Sequence, residues 1–242
     1  MNFFDKVFLK MKIESNFLLR QKWGLLNPMD STVLPKYLLK KYIPRNAVII
    51  DCGAHYGSDS VELARIFPKS EVHSFEAVPT LFNKLKNNTR KYKRIRCYNV
   101  ALSNETIDNA KFYVSSGTSD GSSSLLEPKD HLNDHPDVHF NECIDVKTIS
   151  LDDWAHQNNI KKIDFLWLDM QGFEMHMLQA SKTILPTVKA IYTEVSLKET
   201  YKKAPLYDEF RNFLIQKGFT VAIEAIQNTD MGNVLFINNN SN

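Results

Sequence analysis

The chain has 242 residues, 43% of them hydrophobic and 24% charged, with 30 Lys and Arg against 28 Asp and Glu for a formal net charge of +2. That composition can build a sizeable core and excludes disordered and collagen-like chains, and the near balance of charge removes a globally basic field as an argument for nucleic-acid binding. Cys52, Cys97 and Cys143 include no Cys-x-x-Cys pair; with no signal-type or membrane-length apolar run, the expectation is a cytoplasmic, soluble protein with reduced thiols and no membrane span.

Residues 2–26 mix Phe3, Phe4, Phe8, Phe17 and Trp23 with Lys and Arg at roughly helical spacing, which predicts one or two helices capping the main domain. Residues 34–42 read as a short helix ending before Pro44, so residues 1–44 form an N-terminal helical extension. The pattern then becomes regular. Residues 47–50 (Ala-Val-Ile-Ile) are a fully apolar run, as in a strand buried on both faces. A helix over 58–67 stops at Pro68, a strand covers 71–76, and Pro79 opens a helix with an apolar stripe of Leu81, Phe82 and Leu85. A third strand covers 95–100. Ser150-Leu151-Asp152-Asp153 reads as a capping box for a helix through Gln157. A strand at 163–168, a helix at 173–183, a strand at 190–195 and a helix at 206–217 capped by Gly218 follow. The last strands, 219–226 and 234–238, leave no room for a crossover helix and must form an antiparallel hairpin.

Strands alternating with helices predict an α/β fold with a seven-stranded, mostly parallel sheet, an antiparallel last strand and helices on both faces. The main domain spans 45–239. Residues 111–148, rich in Ser, Asp and His, break the alternation as an insertion with strand-like pieces at 112–115 and 144–149.

The first strand runs into Asp51-Cys52-Gly53-Ala54-His55-Tyr56-Gly57, at the strand end where open α/β sheets bind ligands. The dinucleotide fingerprint would need Gly where Asp51 and Tyr56 stand, so NAD is disfavoured. An acid there suits a cofactor with positive charge and no pyrophosphate, and S-adenosylmethionine has an amino group, a sulfonium and no phosphate. Gly53 and Gly57 allow close backbone approach, and Glu76, ending the second strand, can take two ribose hydroxyls.

With these residues the chain resembles the FkbM-type family of S-adenosylmethionine-dependent methyltransferases, from about residue 48 to 237. The resemblance is carried by residues 48–57, 75–79 (Phe-Glu-Ala-Val-Pro), 99–103 (Asn-Val-Ala-Leu-Ser), 149–152 (Ile-Ser-Leu-Asp), 163–174 (Ile-Asp-Phe-Leu-Trp-Leu-Asp-Met-Gln-Gly-Phe-Glu) and 232–236 (Gly-Asn-Val-Leu-Phe). It departs from the family pattern at His55, where Asn is usual, and at Gln171, where Glu is usual. The resemblance implies a class I, Rossmann-like methyltransferase domain and methyl transfer to oxygen, often on sugars or polyketide-like products. The residues expected at the cofactor are Asp51, Gly53, Ala54, His55, Gly57, Ser58, Glu76, Ala101 and Asp169.

A protonated sugar hydroxyl is a poor nucleophile, so a positioned base is needed. Asp169, ending the fourth strand, is the preferred base and Glu194, near the end of the fifth, the second; His55 and Glu174 are further catalytic candidates. Asp169 and Glu194 could alternatively hold a divalent cation, although no metal is favoured. His176 reads as an ordinary helix residue. The Asp130-His131-Leu132-Asn133-Asp134-His135-Pro136-Asp137-Val138-His139 cluster lacks metal-ligand spacing and reads as a polar loop, with Ser122, Ser123 and Ser124 on the same wall. Lys84, Lys86, Arg90, Lys91, Lys93, Arg94 and Arg96 are the best argument for nucleic acid, but read as a solvated face. The function expected is O-methylation of a sugar or glycan acceptor, with a deoxysugar such as rhamnose or fucose as first guess. The alternatives are a small secondary metabolite or a nucleic-acid ribose as acceptor, or a catalytically inactive cofactor-binding scaffold.

Overall fold

A computed structural model describes residues 34–226 and 230–240; the helices predicted over 2–26 lie outside the described residues. The seven-stranded sheet contains β1 (Val48–Cys52), β2 (Glu71–Phe75), β3 (Ile95–Tyr98), β8 (Phe165–Leu168), β9 (Ala190–Ser196), β10 (Phe219–Ile226) and β11 (Met231–Asn238). Their order is β10-β11-β9-β8-β1-β2-β3. β11 is antiparallel to both β9 and β10, and the other pairings are parallel. The chain winds outward in both directions from the β1–β8 pair, so a crevice opens at their carboxyl ends.

Alternation along the central strands feeds two cores. Ile49, Phe165, Trp167 and Tyr192 face one side, with Leu63 and Phe67 of helix α1 (Ser58–Ile66) and its end. Ile50, Leu166, Leu168 and Ile191 face the other, against α4 (Leu151–Gln157), α5 (Glu174–Ala180) and α6 (Tyr207–Gln216). Helix α2 (Pro79–Thr89) packs beside α1, where a side chain on Gly57 would collide with Leu85 and Thr89. A 3-10 turn at Lys36–Lys41 adds Leu38 and Leu39 to the first core, so the described part of the N-terminal extension joins the core of the main domain. Ser150 caps α4 as predicted, accepting the Asp153 N–H at 3.0 Å.

The structure departs from the sequence expectation at the third strand, in the insertion and at the last strand. The third strand ends at Tyr98 because the Asn99 amide donates to the carbonyls of Glu76 and Ala77, both at 2.9 Å, and turns the chain out of the sheet. A new strand, β4 (Ala101–Ser103), then pairs in parallel with β7 (Thr148–Ser150). Within the insertion the strands are longer than the pattern implied, β5 (Ala110–Gly117) and β6 (Val138–Val146), because they pair with each other as an antiparallel ribbon. The segment joining them includes the short helix α3 (His131–Asp134) and lies across the carboxyl edge of the sheet, with bridges from Ser124 to Tyr113 and from Pro128 to Tyr201. Finally, β11 starts at Met231 rather than 234, since Met231, Gly232 and Asn233 still pair with β9. No described helix is long and apolar enough to cross a membrane.

Candidate active site

The loop after β1 turns sharply. Gly53 is left-handed, and a Cβ there would sit 1.9 Å from the carbonyl oxygen of Asp169. The missing side chain therefore lets the ends of β1 and β8 close on each other, while that of Gly57 makes room for α2. Both glycines are required by protein packing, a reason different from the close cofactor approach inferred from sequence. His55 follows with a positive φ of 49° and its N–H donates to Glu76 at 2.9 Å. The other Glu76 oxygen accepts the Val78 N–H at 2.8 Å. Burial pushes the Glu76 carboxyl up, and these backbone donors pull it back toward the ionised form.

A cleft lies in front of this loop. Gly53, His55, Glu76, Ala101 and Asp169 reach its wall, as the sequence implied. Four expected cofactor residues do not. Asp51 points into the sheet, 1% exposed, where it accepts the Ser60 hydroxyl; burial raises its carboxyl to about 7. Gly57 is buried against α2, Ala54 is buried, and Ser58 is exposed at the start of α1. Asp51 thus ties β1 to α1, because a buried carboxylate is tolerated only where a donor meets it.

The cleft wall also carries a residue that the motifs did not reveal. Asp120, from the segment joining β5 and β6, sits 2.8 Å from His55 Nε2 and accepts the Tyr56 hydroxyl. Burial, the largest single influence, raises its carboxyl, but the hydrogen bonds of Tyr56 and His55 and the His55 charge together outweigh it and hold it below the usual range. The same strap is fastened on its other side: the Tyr201 hydroxyl donates to the Ser122 carbonyl at 2.7 Å, and Ser124 Oγ donates to the Gln171 carbonyl at 2.9 Å. Glu76, Asp120 and Asp169 face the cleft, with no Lys or Arg on its wall among the described residues, beside the apolar Phe75, Leu81, Val100 and Leu102. That donor set fits a cofactor with an apolar flat ring, ribose hydroxyls and positive charge, and suits a pyrophosphate poorly.

Asp169 and Glu194 are brought together by Gln171, whose Nε2 donates to Asp169 Oδ1 at 2.7 Å and lies 3.4 Å from Glu194 Oε2. Gln171 has a positive φ of 53°, a strained conformation for a residue with a side chain. Asp169 is open to the cleft but ringed by protein, and this partial dehydration raises its carboxyl. Glu194 is raised to about 8 by burial and then by the charges of Asp169 and Glu174. Glu174 is raised to about 7 by burial, and its Oε1 accepts the Met170 N–H at 2.7 Å, which braces the loop. His176 stacks on Phe173 and lies on neither cavity wall. Among the described residues no group of three or more His, Cys, Asp or Glu is arranged to hold a metal ion.

Residues 51–221 match the family model of the methyltransferase FkbM domain. The chain is 32% identical over 186 residues to the 2-O-methyltransferase NoeI of Sinorhizobium fredii, covering 74% of this chain and 75% of that protein. Among solved structures it resembles a methyltransferase FkbM from Methylobacillus flagellatus with a TM-score of 0.50 and 16% identity, over 80% of this chain and 44% of that one. A Methanococcus jannaschii fibrillarin, a pre-rRNA processing protein, is equally similar in fold, with a TM-score of 0.50 and 14% identity over 85% of this chain and 69% of that one. At such identities the structural likeness shows the class I, Rossmann-like fold alone. The family match covers well over half of the sequence, and together with the relative at 32% identity it shows that the chain belongs to the FkbM family and is an S-adenosylmethionine-dependent methyltransferase.

Proposed function

We propose that this enzyme methylates a hydroxyl oxygen of a sugar in a glycan or glycoconjugate, with a deoxysugar such as rhamnose or fucose as the first acceptor to try. The name of its relative NoeI, a 2-O-methyltransferase, supports transfer to oxygen. The observation that carries the reading is the Asp169–Gln171–Glu194 bridge at the carboxyl edge of the sheet, two carboxylates held by one amide beside the cofactor cleft.

Glu76 would hold the ribose hydroxyls, the apolar residues Phe75, Leu81, Val100 and Leu102 would enclose the adenine, and Asp169 and Asp120 would face the positive end of the cofactor. The bound cofactor supplies an electrophilic methyl on a sulfonium. Asp169 accepts the proton of the acceptor hydroxyl, and Glu194, joined to it through Gln171, is the second proton acceptor. Positive charge bound beside Asp169 favours its ionised form and so readies the base. Holding the acceptor oxygen in line supplies up to about 7–11 kcal/mol, and the base about 10²–10⁴-fold in rate. Glu174 and His55 act on position: the first braces the 169–174 loop, and the second holds the strap through Asp120. The reading needs no metal and no nucleic acid, and sets the reaction in the cytoplasm, where the exposed thiol of Cys143 stays reduced.

The test is incubation with S-adenosylmethionine and the methyl glycosides of fucose and rhamnose, with and without EDTA, and NMR of the product. A sugar O-methyl ether formed at the same rate under chelation is the expected result. Methylation of phenols or RNA ribose in preference to every sugar would replace the acceptor assignment, and loss of rate with EDTA would replace the metal-free base.

A further inference from the structure

A second pocket adjoins the cofactor cleft across the 169–174 loop. Its wall includes Gln171, Glu194, Thr200, Tyr201, Tyr207 and Phe210. Gln171 belongs to this wall while its amide donates to Asp169 on the other, so the two cavities meet at the proposed base.

The charge of this cavity is one-sided. Glu174 and Glu194 contribute to its wall, and among the described residues no Lys, Arg or His does. The nearby lysines are engaged elsewhere: Lys198 lies 2.7 Å from both Asp134 and Asp230, and Lys202 lies 2.6 Å from Glu127. Lys129 pairs with Glu199, and the exposed Lys203 is not on the wall. The Tyr207 hydroxyl is turned to Glu224 at 2.9 Å, while its ring stays on the wall near Phe210. Aromatic carbon, carboxylates and an amide match a ring with apolar C–H faces and hydroxyl donors.

We propose that this second cavity is the acceptor subsite and that its acidic wall selects an uncharged, hydroxyl-bearing ring over any phosphorylated or carboxylated one. The inference rests on the methyl-transfer reading above and adds to it the charge class of the acceptor. A phosphate or carboxylate seated there would face Glu174 and Glu194, with Asp169 behind them, and meet no counter-charge; such like-charge placement is strongly disfavoured.

The experiment compares matched acceptors at pH 8.5, where the wall carboxylates are mostly ionised: methyl glucoside, methyl glucuronide and glucose 6-phosphate, and in parallel catechol and its carboxylated analogue. Each is assayed with the full chain and S-adenosylmethionine by release of the demethylated cofactor, and its binding to protein saturated with that product is followed by ligand-observed NMR. The neutral member of each pair should exceed the anionic one by about a hundred-fold in kcat/KM. Glu174→Gln and Glu194→Gln should each narrow that ratio about ten-fold, whatever they do to the absolute rate. Preference for catechol over glucoside with the neutral-to-anionic ratio intact would overturn the sugar reading and uphold this one. Equal or better turnover of the anionic members, a ratio unmoved by both variants, or neither turnover nor binding of any probe would overturn it.

Discussion

Gly53 and Asp169 show how closely the site is set by single residues. The Asp169 carbonyl occupies the space a Gly53 side chain would need, and the φ of Gly53 is left-handed. Gly53→Ala is expected to cost about 2 kcal/mol or more of folding stability in urea titration and to weaken cofactor binding by pushing Asp169 aside; an unchanged midpoint would refute that packing. Gln171→Leu removes the donor shared by Asp169 and Glu194, so the less readily ionised pair should move the acid limb of the pH–rate profile upward. The direction follows from the base: it must be ionised to act, so the rate falls as pH drops through its pKa. The positions of Gly53 and Asp169 were legible because each follows a strand end in a recognisable pattern, and that of Glu194 because it lies near the end of the next strand. Asp120 was not, since its partners His55 and Tyr56 are 65 and 64 positions away in sequence and Ser-Asp-Gly carries no periodic signal.

At the scale of elements, the insertion is the part of the fold that pattern reading resolved least. Periodicity locates buried faces, but β5 and β6 form a ribbon whose outer residues are largely exposed, so their pairing left little apolar rhythm to read. The result is a strap fastened at His55, Tyr56, Gln171 and Tyr201. Asp120→Ala removes the fastening on the cofactor side. A charge-assisted hydrogen bond is worth about 1.5–3 kcal/mol, so the cofactor dissociation rate measured by stopped flow should rise by about ten-fold or more. An unchanged rate would mean that the strap does not retain the cofactor. The strand edges were easier: the central strands follow their apolar runs, and the deviation at Asn99 depends on side-chain bonds to Glu76 and Ala77 that no local pattern encodes.

For the whole molecule, burying Asp51, Glu174 and Glu194 links stability to pH. Their folded values of about 7, 7 and 8 lie above the ordinary carboxylate range. At pH 6.5 the folded chain therefore holds protons that the unfolded chain has released, and the stabilisation this gives is lost as pH rises through 7 and 8. His73, held neutral by burial with a value of about 4, opposes this only below its ordinary 6.5. The melting temperature of the cofactor-free protein should thus fall from pH 6.5 to 8.5, with a shallower slope in Glu194→Gln; a flat profile in the parent would contradict the buried cluster. As the proposed base, Asp169 is assigned to the chemistry and not to cofactor affinity alone. Its most direct test is Asp169→Asn, measured by calorimetric affinity for S-adenosylmethionine and by single-turnover methyl transfer to the accepted glycoside. Affinity should fall by no more than about ten-fold, the part owed to the Asp169 charge beside the cofactor, while the transfer rate falls by about 10²–10⁴-fold; transfer at the parental rate would show that the proton goes elsewhere.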